Sequence, residues 1–69
     1  MTQKELSYVE DAIAHEDILI KMLNETCKDL NDTDVIKFFD DEITIHENMK
    51  KELFKLLEDK SNERWTYYE

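Results

Sequence analysis

The chain has 69 residues, and 18 acidic against 9 basic residues give it a net charge of −9 at pH 7. A chain of this length buries only about 60% of its unfolded surface on folding, so a lone core would be thin. The negative field repels phosphate backbones and anionic lipids, which excludes nucleic acid and membrane surfaces as expected partners. Cations and basic proteins are the partners that this charge favours.

The sequence also limits how the chain gains stability and where it acts. It contains one cysteine, Cys27, so an intramolecular disulfide is excluded. Metal binding and self-association remain as the ways in which so small a chain is stabilised. No apolar run approaches the length of a membrane span, and the N-terminus lacks the pattern of a secretory signal. We therefore expect a soluble cytoplasmic protein that is not secreted by a signal peptide.

The first predicted element is a helix over about residues 3–30. Thr2 and Glu5 fit a capping box that starts the helix, and the chain has no glycine or proline to break it. At 100° per residue, its apolar side chains lie within about 80° of one line, and Glu16 lies on that line. The apolar positions are Leu6, Val9, Ala12, Ile13, Leu19, Ile20, Leu23, Cys27 and Leu30.

A turn and a second helix follow. Residues 31–34 read Asn-Asp-Thr-Asp, which are residues that prefer caps and turns and whose charge suits a helix N-terminus. We predict a turn at about 31–33 and a helix over about 33–60, each helix being roughly 40 Å long. Residues 1–60 then form a helical hairpin, and residues 61–69 form a C-terminal tail rich in aromatic side chains.

The apolar face of the second helix is about 160° wide, with His46 at its centre and Glu42 about 40° to one side. One neighbouring helix does not cover a face this wide, whereas each helix of a bundle touches two neighbours. We therefore predict an all-α fold, an antiparallel two-helix hairpin that dimerises into a ferritin-like four-helix bundle. The face consists of Val35, Ile36, Phe38, Phe39, Ile43, Met49, Leu53, Phe54, Leu56 and Leu57.

The polar residues of the two apolar faces form a candidate site. A tight turn near residues 31 and 32 places Glu16 and His46 at the same height, with Glu42 one turn away. Burying a carboxylate or an imidazole without a partner costs several kcal/mol, so we expect Glu16 and His46 to meet inside the hairpin.

Two interpretations of this cluster stay open. In the first, Glu16 and His46 form a polar pair that sets helix register and dimer symmetry, as a single buried polar residue does in coiled coils. In the second, two hairpins bring together two copies of Glu16, Glu42 and His46 as a site for a divalent transition metal such as iron, manganese or zinc. The ligand types suit a di-iron site, but Glu42 and His46 are four residues apart, whereas the Glu-x-x-His motif places them three apart.

One segment resembles a known family. Residues 4–16 read KELSYVEDAIAHE, and this segment resembles the opening of small coat F-like proteins of spore-forming Firmicutes. The chain also resembles this group in its length and in the residues His46 and Glu47. The resemblance implies a ferritin-like helical fold and a place in the spore or its coat, and it does not imply an enzyme.

Three hypotheses about function follow. The first is a non-enzymatic structural or interaction protein, with no catalytic residue and no required cofactor, that forms a homodimer or a higher homo-oligomer. The second is a metal-binding bundle with Glu16, Glu42 and His46 as ligands, which stores or oxidises a metal. The third is an acidic adaptor that binds another coat protein or a basic protein through its outer faces.

Overall fold

The computed structural model describes residues 1–61, which form two antiparallel helices joined by a short loop. Helix α1 spans Gln3–Cys27 and helix α2 spans Thr33–Ser61. The described residues contain no strand, which confirms the prediction of an all-helical hairpin. The predicted tail over residues 61–69 lies outside the described residues, apart from the backbone of Ser61.

Helix α1 begins at the predicted capping box. The hydroxyl of Thr2 accepts a hydrogen bond from the amide of Glu5 at 3.0 Å, and the Glu5 carboxylate accepts one from the amide of Thr2 at 2.8 Å. Two of the unpaired amides at the helix start are thereby satisfied. Hydrogen bonding of the Glu5 carboxylate to the Thr2 amide, followed by hydrogen bonding to the Thr2 side chain, lowers the pKa of Glu5.

Helix α1 ends three residues before the predicted position at Leu30. After Cys27 the amides of residues 28, 29 and 30 bond the carbonyls three positions back, at 3.1 to 3.3 Å, instead of four positions back. This pattern tightens the last turn and stops the α-helix without a glycine. The loop therefore covers residues 28–32 and is longer than the predicted turn at 31–33.

Asp32 caps helix α2. Its carboxylate accepts hydrogen bonds from the amides of Asp34 at 2.9 Å and Val35 at 3.2 Å. The backbone carbonyl of Asp32 accepts the first helical hydrogen bond, from Ile36. Residues 31–34 were predicted to prefer caps and turns, and among them the side chain of Asp32 forms the cap.

The core between the two helices is thin. Among the described residues, Ile13 and Ile43 are the only buried apolar side chains, at 8% and 9% exposed. The side chains around them, such as Leu6, Ile20 and Leu57, are half-buried. Neither described helix combines the length and the apolar character that crossing a membrane requires.

One broad side of the hairpin exposes apolar side chains from both helices, and we call it the apolar face. Its large members are between 38% and 61% exposed. Those of α2 recur at helical spacing, so they lie on one strip of the helix. The apolar face consists of Tyr8, Ala12 and Leu19 of α1 and Phe38, Ile45, Met49 and Leu56 of α2.

The opposite side of the hairpin, which we call the polar side, carries charged side chains together with the exposed ring of Phe54. There Lys50 of α2 forms an ion pair with Asp17 of α1, and its ammonium lies 5.8 Å from the ring centroid of Phe54. A second, smaller groove on this side is lined by Thr44, Glu47 and Lys51 among others. The two sides of the hairpin therefore differ in the surface that they offer to a partner.

Candidate functional site

The centre of the hairpin holds the predicted pair of Glu16 and His46. The carboxylate Oε2 of Glu16 lies 2.6 Å from Nδ1 of His46, which is a short hydrogen bond between the two helices. Glu16 is 8% exposed, and it is the one buried charged residue in the described part of the chain. The structure confirms that Glu16 and His46, the polar residues at the centres of the core-facing sides of the two helices, meet.

Glu42 approaches the other edge of the same imidazole. Its Oε2 atom lies 3.8 Å from Nε2 of His46, one turn along α2. This distance is too long for a hydrogen bond, and the contact is an ion pair only when the imidazole carries a proton on both nitrogens. Its side chain is 36% exposed, against 10% for that of Glu16, so Glu42 joins the cluster to the surface of the hairpin.

The protonation state of His46 decides how many of these contacts are favourable. A neutral imidazole has one N–H donor and one lone pair, whereas the imidazolium has two N–H donors. With carboxylates near both ring nitrogens, only the imidazolium presents a donor to each. The cluster then contains two negative charges and one positive charge.

A groove in the apolar face opens directly above this cluster. It has a volume of 890 Å³, and Ala12, Glu16, Ile45, Met49, Leu53 and Leu56 are among its lining residues. The small side chain of Ala12 leaves room between the two helices at this height. The buried carboxylate of Glu16 is thus reached from the apolar face.

The predicted metal ligands come together, but around opposite ring nitrogens. Glu16 contacts Nδ1 and Glu42 is nearest Nε2, so a metal bound to either nitrogen has one of the two carboxylates on its side. The described residues contain no group of three or more His, Cys, Asp or Glu side chains arranged to hold one metal ion. A metal site that combines two hairpins stays a prediction.

Cys27 lies at the end of α1 and has an acidic neighbour. Its half-buried sulfur lies 4.0 Å from the Asp40 carboxylate on α2. Partial desolvation, followed by the charge of Asp40, raises the pKa of the Cys27 thiol. The thiol is therefore a weak nucleophile at neutral pH.

Sequence reasoning missed two contacts between the helices, Asp17 with Lys50 and Cys27 with Asp40. In each contact the partner on α2 lies several residues beyond the height predicted from a turn at 31 and 32. For Asp17 and Lys50 the sequence held a signal, which is the opposite charge of the two side chains. A thiol and a carboxylate give no comparable signal for Cys27 and Asp40.

Comparison with family models, with curated proteins and with solved structures finds no match for this chain. The resemblance of residues 4–16 to coat F-like proteins therefore stays a prediction.

Proposed function

We propose that the protein is a non-enzymatic interaction protein that acts as a homodimer. Two hairpins pair through their apolar faces into a four-helix bundle of the ferritin-like kind. The observation that carries the proposal is the apolar face, with six large side chains at least 38% exposed on one side of the hairpin. Large exposed apolar patches on a protein surface mark sites of interaction with a partner.

The size of the apolar face suits a dimer. Helix α1 is roughly 37 Å long, and two packed helices present a surface roughly 18 Å wide. The resulting footprint of about 650 Å² is close to the roughly 800 Å² of accessible surface that each partner buries in a stable complex. Two buried apolar side chains within each hairpin provide little stability by comparison.

The Glu16–His46 pair has a structural role in this proposal. The hydrogen bond between these two mostly buried polar groups forms in one register, because sliding either helix by a turn separates Glu16 from His46. A similar device sets register in coiled coils. The pair thereby selects one arrangement of a hairpin whose apolar contacts are otherwise unspecific.

Sedimentation equilibrium at micromolar concentrations tests the homodimer. We expect the wild-type chain to sediment as a dimer and Ile45→Glu, which places a charge on the apolar face, to sediment as a monomer with reduced helicity. Thr44→Glu adds the same charge on the polar side and should stay dimeric. A well-folded wild-type monomer at tens of micromolar would overturn the proposal.

Association with the spore is the second part of the proposal, and the segment 4–16 supports it. The resemblance of this segment to coat F-like proteins implies a location in the spore or its coat. Fractionation of a sporulating culture that expresses a tagged copy tests it. Recovery in the spore fraction is the expected result, and recovery in the mother-cell cytosol alone would contradict it.

Divalent metal binding is a second candidate function, favoured by the convergence of Glu16, Glu42 and His46 on one imidazole. Elemental analysis of the purified protein tests this candidate. Stoichiometric metal that is lost in His46→Ala would support it. Fully stable, metal-free protein would exclude it.

A further inference from the structure

The large side chains of the apolar face are placed symmetrically about the middle of helix α2, whose midpoint is residue 47. Phe38 and Leu56 lie nine residues to either side of that midpoint, and Ile45 and Met49 lie two residues to either side. A second copy that runs antiparallel over the full length of α2 therefore sets the two members of each pair against one another.

Helix α1 carries one small and one large residue in a matching arrangement. Its midpoint is residue 15, and Ala12 lies three residues before it and Leu19 four residues after it. The spacing of seven residues places both side chains on one strip of the helix. Two antiparallel copies related by a twofold axis stack α1 on α1, so Leu19 of one copy lies within about 1.5 Å of the height of Ala12 of the other.

Leu19 suits the groove that opens above Ala12. The groove has a volume of 890 Å³, and it is lined by apolar side chains of both helices, Ala12, Met49 and Leu56 among them. Leu19 is 40% exposed on the same apolar face. Packed helices interdigitate by setting a large side chain into the space beside a small one. An antiparallel second copy supplies that large side chain.

The charges of the hairpin are divided unequally between its two halves. The half next to the loop, residues 16–46, has nine acidic and three basic side chains, whereas residues 1–15 and 47–61 have seven acidic and five basic ones. With the histidines neutral, the halves carry net charges of −6 and −2. Repulsion between facing halves grows with the product of their charges, so an antiparallel pair, which never sets the two loop halves together, is opposed less than a parallel pair.

We propose that the second copy lies antiparallel to the first, with the loops at opposite ends of the bundle, and that Leu19 of each copy fills the groove above Ala12 of the other. This inference rests on the homodimer proposed above. Each chain then holds a groove and the side chain that fills its partner's groove, so the site is complete only in the pair. A parallel pair stacks α1 on α2 instead, and there Leu19 and Ala12 do not face each other.

The distance between spin labels on Cys27, the only cysteine, tests the direction of pairing. Cys27 is the last residue of α1 and Gln3 is the first, so fully overlapping antiparallel copies hold the two Cys27 residues about 36 Å apart along the bundle. Parallel copies hold them within about 20 Å of each other at one end. We expect double electron–electron resonance to give a distribution centred at about 36 Å, and a distribution centred below about 20 Å would overturn the proposal.

Two further labelled variants, both in a Cys27→Ser background, complete the measurement. Asp29→Cys moves the label to an exposed position in the loop, where it should report at least about 36 Å even if a label on the half-buried Cys27 disturbs α1. His15→Cys places the label at the midpoint of α1, where the two copies coincide, and should report less than about 20 Å. A long distance at residue 15 would overturn the full overlap of the two hairpins.

An exchange of the large and the small residue tests the filling of the groove. Ala12→Leu blocks the groove and Leu19→Ala leaves it unfilled, so each should weaken dimerisation at least about tenfold in sedimentation equilibrium. The double variant again sets a large residue opposite a small one and should regain most of the lost affinity. Ala14→Leu is the matched control, because it adds the same volume at an exposed position outside the apolar face and should change the dissociation constant by less than about twofold.

The outcomes distinguish this inference from the homodimer itself. A dimer with a short distance between the two Cys27 residues overturns the antiparallel direction. A double variant as weak as the single variants overturns the seating of Leu19 in the groove. Either result leaves the homodimer intact, whereas a monomer in sedimentation equilibrium overturns both proposals.

Discussion

His46 is the residue with the most demanding surroundings in the described part of the chain. Its ring lies between a carboxylate from each helix, and its side chain is 21% exposed. All buried polar side-chain atoms of the described residues have a partner, and Glu16 depends on His46 for its own. Removing the imidazole therefore affects a group on the other helix.

His46→Ala should lower the free energy of unfolding by about 3 kcal/mol, because it leaves the carboxylate of Glu16 buried and unpaired. Urea unfolding followed by circular dichroism, at a fixed protein concentration, measures the change. The matched control is His15→Ala, which removes an exposed imidazole from α1 and should change stability by less than about 0.5 kcal/mol. Equal effects of the two substitutions would contradict a structural role for the pair.

Cys27 gives a second prediction for a single side chain. Its thiol pKa is raised by partial desolvation and, to a smaller extent, by Asp40. The rate of alkylation by iodoacetamide should therefore rise with pH at a higher midpoint in the folded protein than in urea. Asp40→Asn should move that midpoint part of the way down, since desolvation remains.

The sign of the effect on stability follows from the same shift. A thiol with a raised pKa in the folded state contributes stability below its unfolded pKa and loses that contribution as pH rises through the folded value. Identical midpoints in the folded and unfolded chain would show that the environment of Cys27 differs from the one described.

Each helix begins at a side chain that accepts from its first amides. Thr2 and Glu5 do this for α1 and Asp32 does it for α2. Capping has particular weight here because the chain lacks glycine and proline, so the helix ends are set by hydrogen bonds alone. The hydrogen bonds accepted by Asp32 therefore hold the end of the loop that joins α2.

Asp32→Ala should destabilise the protein by about 1 kcal/mol, because the amides of Asp34 and Val35 lose their acceptor near the positive end of the helix dipole. Thermal unfolding followed by circular dichroism measures the change. Asp29→Ala removes the same charge from the same loop without removing the cap, and its effect should be much smaller. A similar loss in both variants would point to charge in the loop as the cause.

The whole chain combines an apolar face with a net charge of −9. Pairing two copies brings charges of the same sign together, so electrostatics opposes the association that the apolar face favours. The charged residues are mostly solvent-exposed, and salt screens such charges over a distance of about 8 Å at physiological ionic strength.

The proposed homodimer should therefore become tighter as sodium chloride rises from 20 mM to 500 mM, by severalfold in dissociation constant, as measured by sedimentation equilibrium. Binding of a basic partner, as expected for an acidic adaptor, would show the opposite salt dependence. The sign of the salt effect thus separates two of the functional hypotheses. A dimer that weakens in high salt would contradict association through the apolar face.

Much of the hairpin was predictable because its determinants are local. The capping box at Thr2, the absence of helix breakers and the period of the apolar residues are all properties of short segments. The meeting of Glu16 and His46 followed from the same periodicity and one turn. The end of α1 was not predicted, since Leu30 continues the apolar pattern while its amide bonds the carbonyl of Cys27.

The sequence by itself determined two amphipathic helices, their antiparallel pairing and the polar centre between them, because periodicity and capping act within a few residues along the chain. Only the tertiary structure decided that Glu16 and Glu42 approach opposite nitrogens of His46, and that six of the large exposed apolar side chains lie on one side. These features depend on how the two helices are rotated and shifted against each other. That arrangement is set by the five-residue loop and by contacts between side chains far apart in the sequence.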